Sequence, residues 1–147
     1  MLKAPTLLVF LLSAFGFAQA QDPLVVAKQL FTDMASHNAA HARTLFLPEA
    51  MLFSSKPDGT ADALASGKWL DLLASGKGKW DERIWDPKVL RHGSIAVVWA
   101  PYNFHLNGKF SHCGIDSFSL LLTNGEWKIA SISDTREKAG CSPPDRE

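Results

Sequence analysis

The sequence has almost no net charge and few cysteines. Its 147 residues include 15 basic and 15 acidic side chains, so the formal net charge at pH 7 is zero. A neutral chain has little electrostatic attraction for nucleic acid or for an anionic membrane, and neither is predicted as a partner. The Gly-x-x-x-x-Gly-Lys-Ser/Thr spacing that cradles phosphate is also absent. These features exclude the nucleic-acid-binding and phosphate-loop classes.

Long apolar runs are scarce as well, and the one at the N-terminus has the pattern of a signal peptide. Lys3 is followed by an apolar segment over residues 6–17 and by Ala18-Gln19-Ala20. The segment is shorter than the ~20 residues that span a bilayer. We therefore predict a signal peptide over residues 1–20, a secreted or periplasmic protein, and no membrane association after cleavage. The remaining 127 residues are enough for one domain.

Helical periodicity follows the predicted cleavage site. Asp22 is suited to an N-cap and Pro23 to the first helical position. The apolar spacing predicts helices over residues 22–36, 38–47 and 66–76. His37 and His41 lie on either side of the junction between the first two helices, but no third ligand lies nearby, so neither a metal site nor a cofactor is predicted.

Strand-like sequence dominates the second half. A short strand is expected over residues 50–54, and a broken one over 80–90. Three further runs, 94–106, 109–123 and 126–136, are joined by Asn107-Gly108 and Asn124-Gly125, which favour two-residue type I′ turns. Helices followed by a curved antiparallel sheet indicate an α+β fold.

Tight turns set the register of this three-strand meander. Counting back from them places Asn103 opposite His112, and Asp116 between Trp99 and Ser133. We interpret that face as concave, because large aromatic side chains with a few polar groups suit a ligand pocket. A bulge at Pro101 would instead bring Tyr102 into the pocket. The candidate ligand-binding residues are Trp69, Trp99, Tyr102, Asn103, His112, Asp116 and Phe118.

Several segments resemble the nuclear-transport-factor-two-like superfamily, and within it the lumazine-binding-like branch: residues 98–102, 107–116, 125–130 and 134–136. The likeness extends over about residues 23–141, so we assign 21–141 to the domain and 142–147 to a C-terminal tail. It implies a cone-shaped sheet with three N-terminal helices on its concave face, a pocket and frequent dimerisation. It implies no single chemistry, because the fold hosts enzymes, binders and scaffolds.

The chemistry stays open between three classes. The leading hypothesis is an exported domain that binds a hydrophobic small molecule without catalysis. An isomerase or cyclase acting on a hydrophobic carbonyl compound would use Asp116 as general base, with His112 or Tyr102 as donor. His112 and Asp116 cannot form a dyad, since four strand residues separate their backbones by ~13 Å. The third class is a structural dimer without ligand.

Three smaller expectations concern the sheet and its end. Neighbouring strand residues face opposite ways, so His112 cannot activate Cys113 as a nucleophile. Cys113 and Cys141 either form a disulfide in an oxidising compartment or remain free thiols. Asp134 and Arg136 form an ion-paired rim or capture an anion.

A homodimer is predicted through the convex face of the sheet. The prediction rests on the small and β-branched residues placed there: Val98, Ala100, Ser117, Ser119, Ala130 and Ile132.

Overall fold

Three helices and one large, curved sheet make up the computed structural model of the protein, which describes residues 21–141. The helices are α1 (Pro23–Ser36), α2 (Ala39–Leu45) and α3 (Ser66–Ser75). The predicted signal peptide and C-terminal tail lie outside the described residues. None of the described helices is long and apolar enough to cross a membrane.

The helix ends follow the capping residues in the sequence. The Asp22 side chain accepts a hydrogen bond from the Leu24 amide at 2.9 Å, and α1 ends at His37 in a left-handed conformation. Asn38 caps α2 in the same way. The second helix ends at Leu45, before the predicted Leu47, because the chain is already extended from Phe46 onward and Pro48 lies within a strand.

Seven strands form a single mixed sheet in the order β2-β1-β7-β6-β5-β3, and β4 also pairs with β5. They are β1 (Phe46–Ser55), β2 (Ala61–Ala65), β3 (Trp80–Ile84), β4 (Lys88–His92), β5 (Ile95–Leu106), β6 (Lys109–Thr123) and β7 (Glu126–Thr135).

The sheet is not wholly antiparallel, which corrects the sequence prediction. Strands β1 and β7 run parallel, with Phe46 beside Ile129 and Ser55 beside Thr135. The end of α2 lies beside the start of β7, where Lys128 Nζ donates to the Thr44 carbonyl at 2.8 Å, and β1 continues from there alongside β7. The short strand β2 was not predicted; it pairs with the outer edge of β1.

Both Asn-Gly turns form as predicted, but two bulges change the register beyond them. Asn107 and Gly108 have φ of 54° and 76°, as a type I′ turn requires. Ser111 is then an extra residue on β6, because Phe104 pairs with His112 while His105 pairs with Phe110. A second shift leaves Ala130 extra on β7.

The Ser111 bulge moves every later pair by one residue. Asn103 lies opposite Cys113, not His112, and Asp116 lies opposite Ala100, not Trp99. The second bulge, at Ala130, places Asp116 opposite Asp134, not Ser133. Because side chains alternate along a strand, the even-numbered residues of β5 share the helix-covered face with those of β6. The prediction that the odd-numbered residues of β5 lie on the same face as the even-numbered residues of β6 is therefore wrong.

The core lies between the helices and this face of the sheet. Its most buried members include Leu30 of α1, Leu73 of α3, and Val98, Phe118 and Ile129 of the sheet. Full burial of each such side chain contributes about 1.5–3 kcal/mol relative to exposure.

The uncovered face of the sheet differs from the predicted one. Val98, Ala100 and Ile132, expected on it, are buried under the helices. The outer patch, defined here by Leu90, Ile95, Val97, Trp99 and Leu121, carries larger apolar side chains, and Trp99 is 50% exposed.

Candidate functional site

A recess opens between α1, α3 and the covered face of the sheet. Its inner cavity has a volume of about 70 Å³ and an apolar wall formed by Leu30, Phe31, Met34, Leu52, Trp69, Phe118 and Ile132. Six polar side chains complete that cavity: Glu82, Tyr102, His112, Asp116, Asp134 and Arg136.

A larger outer recess of about 350 Å³ adjoins the inner cavity. The two share Met34, Trp69, Glu82, His112 and Arg136. The other walls of the outer recess are apolar: Leu64, Leu72, Trp80, Phe104 and Leu106. A ligand can therefore place an apolar body in the outer recess and a polar end in the inner cavity.

The polar side chains come from four strands that the topology brings together. Glu82 lies on β3, opposite Phe104 of β5. Tyr102 lies on β5, His112 and Asp116 on β6, and Asp134 on β7 directly opposite Asp116. Alternation along each strand turns all of them toward the same side.

Asp134 is fully partnered at the centre of this group. Its carboxylate accepts hydrogen bonds from Ser54 Oγ at 2.5 Å and from Arg136 Nε at 2.6 Å. The Tyr102 hydroxyl lies 3.2 Å from Asp134 Oδ2 and 2.9 Å from the Thr135 carbonyl oxygen. Burial, together with the nearby carboxylates, raises the pKa of Tyr102, so its phenol is neutral. The positive charge of Arg136 thus balances the negative charge of Asp134 within the protein.

Glu82 and Asp116 behave as a carboxyl pair that shares a proton. Burial first, and then the neighbouring Glu82 carboxyl, raises the pKa of Asp116 well above its ordinary value. Burial also raises the pKa of Glu82 to about 7, although a hydrogen bond from Asp116 partly opposes this increase. The directions of these two pKa shifts are those of a pair in which Asp116 holds the proton and donates it to Glu82.

One oxygen of Asp116 has no hydrogen-bond partner in the described part of the protein. Asp116 is only 3% exposed, and its Oδ2 is buried without a donor. An unpaired buried polar atom typically costs about 1–3 kcal/mol. Asp116 is also one of the residues that line the inner cavity, so the unpaired oxygen belongs to the wall of that cavity.

His112 is a neutral imidazole beside the carboxyl pair. Burial and the positive charge of Arg136 lower its pKa to about 4. Its Nδ1 lies 3.0 Å from Ser111 Oγ and not against Asp116, and its ring packs beside Tyr102 and Phe104 at centroid distances of 5.8 and 5.2 Å. His112 and Asp116 thus line the same cavity without forming a dyad, as strand spacing predicts.

Five of the sequence-predicted pocket residues line the inner cavity: Trp69, Tyr102, His112, Asp116 and Phe118. Trp99 and Asn103 do not, because the Ser111 bulge places the odd-numbered residues of β5 on the opposite face. The bulge thus brings Tyr102 inward in place of Trp99, although it occurs at Ser111 and not at Pro101.

Glu82 is the residue that the sequence interpretation missed. It lies in the polar run Asp81-Glu82-Arg83, which is typical of a solvated strand. The one available signal is alternation: Trp80, Glu82 and Ile84 occupy one side of β3, and the two apolar neighbours indicate that this side is covered.

The two cysteines form a disulfide, so the option of free thiols is excluded. Cys113 and Cys141 are bonded with their Cα atoms 5.9 Å apart. Cys113 also forms an antiparallel bridge with Glu137, which extends the β6–β7 pairing past Arg136. This end of the chain is therefore held against β6 next to the cavity.

The two histidines considered as metal ligands have separate partners. The His37 ring lies between the carbonyl oxygens of Leu73 and Gly78, at 3.0 and 2.7 Å. His41 Nδ1 pairs with the buried Asp33 carboxylate at 2.7 Å. Within residues 21–141, no group of three or more His, Cys, Asp or Glu side chains is arranged to hold a metal ion.

Comparison with known proteins identifies the fold. No protein-family model and no curated protein matches the chain. An NTF2-like protein of unknown function from Shewanella baltica is 15% identical, with a TM-score of 0.61 over 80% of this chain and 92% of that chain. A candidate dehydratase of the NTF2-like family from Streptomyces avermitilis is also 15% identical, with a TM-score of 0.62 over 78% and 93%.

A third similar structure is an NTF2-like protein with a cystatin-like fold from Novosphingobium aromaticivorans. It is 9% identical, with a TM-score of 0.60 over 79% of this chain and 80% of that chain. The chain therefore has the NTF2-like fold, as the resemblance in sequence predicted. At these identities the similarity concerns the fold, and it does not single out the lumazine-binding-like branch.

Proposed function

We propose that the protein is an exported small-molecule-binding domain. The observation that carries this proposal is an apolar outer recess leading to an inner cavity lined by Asp116, whose buried Oδ2 has no donor among the described residues. The outer recess, at about 350 Å³, is within the ~300–1,000 Å³ typical of ligand sites. A structural dimer without ligand is disfavoured, because the protein's own side chains leave this space open.

Binding can be followed by tryptophan fluorescence, since Trp69 and Trp80 line the outer recess. A panel of small aromatic compounds should include ligands that change the emission and raise the melting temperature. Leu106→Arg should abolish both effects, because Leu106 lines the recess. Val89→Arg is the control, as Val89 is an exposed aliphatic residue that lines neither the recess nor the inner cavity and is not part of the outer patch. Equal loss of binding in both variants would contradict the proposal.

A second candidate function is proton transfer on a bound carbonyl compound, as in an isomerase, a cyclase or a dehydratase. It is favoured by the carboxyl pair, since general acids and bases work best with pKa values near the working pH. Here the roles differ from the sequence hypothesis: Glu82, with a pKa of about 7, is the base, and protonated Asp116 holds it in place through their hydrogen bond. The solved relative described as a candidate dehydratase is consistent with this class.

Turnover of a panel of cyclic ketones tests this second candidate. The rate should rise with pH through an apparent pKa of about 7, and Glu82→Gln should abolish it while leaving binding measurable. Binding without turnover in the wild-type protein across the panel would favour the binding-only function.

Export and dimerisation complete the proposal. The disulfide fits an oxidising, non-cytoplasmic compartment, and the N-terminal pattern fits a signal peptide, so we assign the protein to the periplasm or the extracellular space. Protein recovered from that compartment should begin at Gln21.

The outer patch, with Leu90 71% exposed and Ile95 56% exposed, is the surface through which we expect two copies to pair.

A further inference from the structure

We propose that the recess selects ligands with a protonated amine at their polar end, held in the inner cavity against Glu82 and Asp116, with an aromatic body in the outer recess. This inference rests on the proposed binding function and deepens it by naming the ligand class. Neither the fold nor the sequence motifs assign such a ligand.

The unpaired oxygen of Asp116 requires a donor from the ligand. Asp116 shares its proton with Glu82, both carboxyls line the inner cavity, and no described residue donates a hydrogen bond to Asp116 Oδ2. A carbonyl or carboxylate on a ligand would leave that atom unpaired, because such groups only accept hydrogen bonds. An ammonium group carries three donors and no acceptor, and it can serve Asp116 Oδ2 and Glu82 together.

The charges around the cavity favour a cation over a neutral donor. Arg136 and Asp134 neutralise each other through their 2.6 Å contact. Tyr102 and His112 are neutral near pH 7. Helices α1 and α3 contribute only apolar side chains to the inner wall. The negative charge of the Glu82–Asp116 pair is therefore the one formal charge at the inner cavity that no described cation balances.

The dimensions suit an arylalkylamine. The inner cavity of about 70 Å³ accommodates a small polar group, since one water needs ~10–15 Å³ by the same measure. Trp69, Trp80 and Phe104 line the outer recess and offer apolar surface to a ring.

Charge neutralisation links amine binding to pH. An ammonium group stabilises ionised Glu82, so binding displaces the proton that Glu82 holds with a pKa of about 7. A simple arylalkylamine has a pKa near ~10, like a lysine side chain, and stays protonated between pH 6 and 8. Its affinity should thus rise roughly tenfold from pH 6 to pH 8, as Glu82 becomes ionised.

The test compares three probes of similar shape: 2-phenylethylamine, 2-phenylethanol and 3-phenylpropionate. Fluorescence titrations at pH 6 and pH 8 should show the amine binding at least about tenfold more tightly than the alcohol at pH 8, since hydrogen bonds between charged groups are the stronger class. Only the amine should show the tenfold dependence on pH. The carboxylate should bind most weakly.

Two variants test whether the Glu82–Asp116 pair causes the amine preference and its pH dependence. Glu82→Gln should remove both the amine preference and its pH dependence, because it keeps the shape and deletes the titration. Asp81→Asn is the matched control, since Asp81 is the neighbouring carboxylate on β3 and pairs with Arg83. It should retain the wild-type preference.

A measurement on the unaltered protein keeps the test independent of these variants. Calorimetric titration with 2-phenylethylamine at pH 7, in two buffers of different ionisation enthalpy, should show release of about half a proton. Tighter binding of the alcohol or the carboxylate, no proton release, or an amine preference that survives in Glu82→Gln would overturn the amine inference and leave the binding function intact. Failure of all three probes to bind at millimolar concentration would count against both.

Discussion

The Glu82→Gln substitution should change how the stability of the protein depends on pH. Glutamine keeps the size of the side chain and can still accept the hydrogen bond from Asp116, but it cannot titrate. The variant therefore reports how the titration of the Glu82–Asp116 pair contributes to stability. It also requires no ligand, so it tests the geometry of the carboxyl pair directly.

The direction in which stability changes with pH follows from the direction of the pKa shift of Glu82. The folded protein holds the Glu82 proton more tightly than the unfolded chain does, because the pKa rises from 4.5 to about 7 on folding. An acid with a raised pKa contributes stability that is lost as pH increases. The free energy of unfolding should thus fall between about pH 4.5 and pH 7 on account of this residue and be constant above that range.

The shift sets an upper limit for the magnitude. A separation from 4.5 to about 7, at ~1.4 kcal/mol per unit, corresponds to at most about 3 kcal/mol, because Glu82 is half-buried and solvent screens part of the effect. In a domain of this size such a difference moves the melting temperature by about 10 °C. Relative to the wild-type protein, Glu82→Gln should therefore gain up to about 3 kcal/mol between pH 4.5 and pH 7.5.

Urea unfolding across that pH range measures the gain. The comparison should be made as variant minus wild type, because His112 contributes a slope of opposite sign over much of the same range and cancels in the difference. Asp81→Asn serves as the control: a neighbouring Arg83 lowers the pKa of Asp81, so its effect should be constant above pH 5. Parallel curves for Glu82→Gln and the wild-type protein would refute a buried, proton-sharing pair.

Four further predictions concern other residues. Burial lowers the pKa of His112 to about 4, so the folded state gains stability as pH rises from about 4 to 6.5; urea unfolding of His112→Gln should lack this rise. Cys141→Ser should lower the free energy of unfolding by about 3–4 kcal/mol, because the disulfide closes a loop with a sequence separation of 28; an unchanged urea midpoint would contradict this. Gly114→Ala should lower the melting temperature strongly, since the added Cβ overlaps the Thr135 carbonyl; an unchanged melting temperature would contradict that contact. Trp99→Lys should convert a dimer to a monomer in light scattering, as Trp99 lies 50% exposed on the outer patch; a monomeric wild-type protein would exclude the interface.

Local sequence determined the parts of the fold that depend on near neighbours in the chain. Asp22 and Asn38 cap their helices because their side chains reach amides two or three residues away. The pairs Asn107-Gly108 and Asn124-Gly125 form their turns because these residue types tolerate positive φ. These signals, with the resemblance to NTF2-like proteins, were enough for the fold class, and alternation along β6 was enough to place His112, Asp116 and Phe118 on one face.

The tertiary structure decided the composition of the site. The bulge at Ser111 has no distinctive local signal, yet it exchanges the two faces of β5, so Tyr102 enters the cavity and Trp99 leaves it. Glu82 reaches Asp116 only because β3 pairs with β5, and the joining of Cys113 to Cys141 depends on how the chain turns after β7. The pKa values of the carboxyl pair depend on burial and on each other. These properties arise from contacts between residues distant in sequence, which no local pattern encodes.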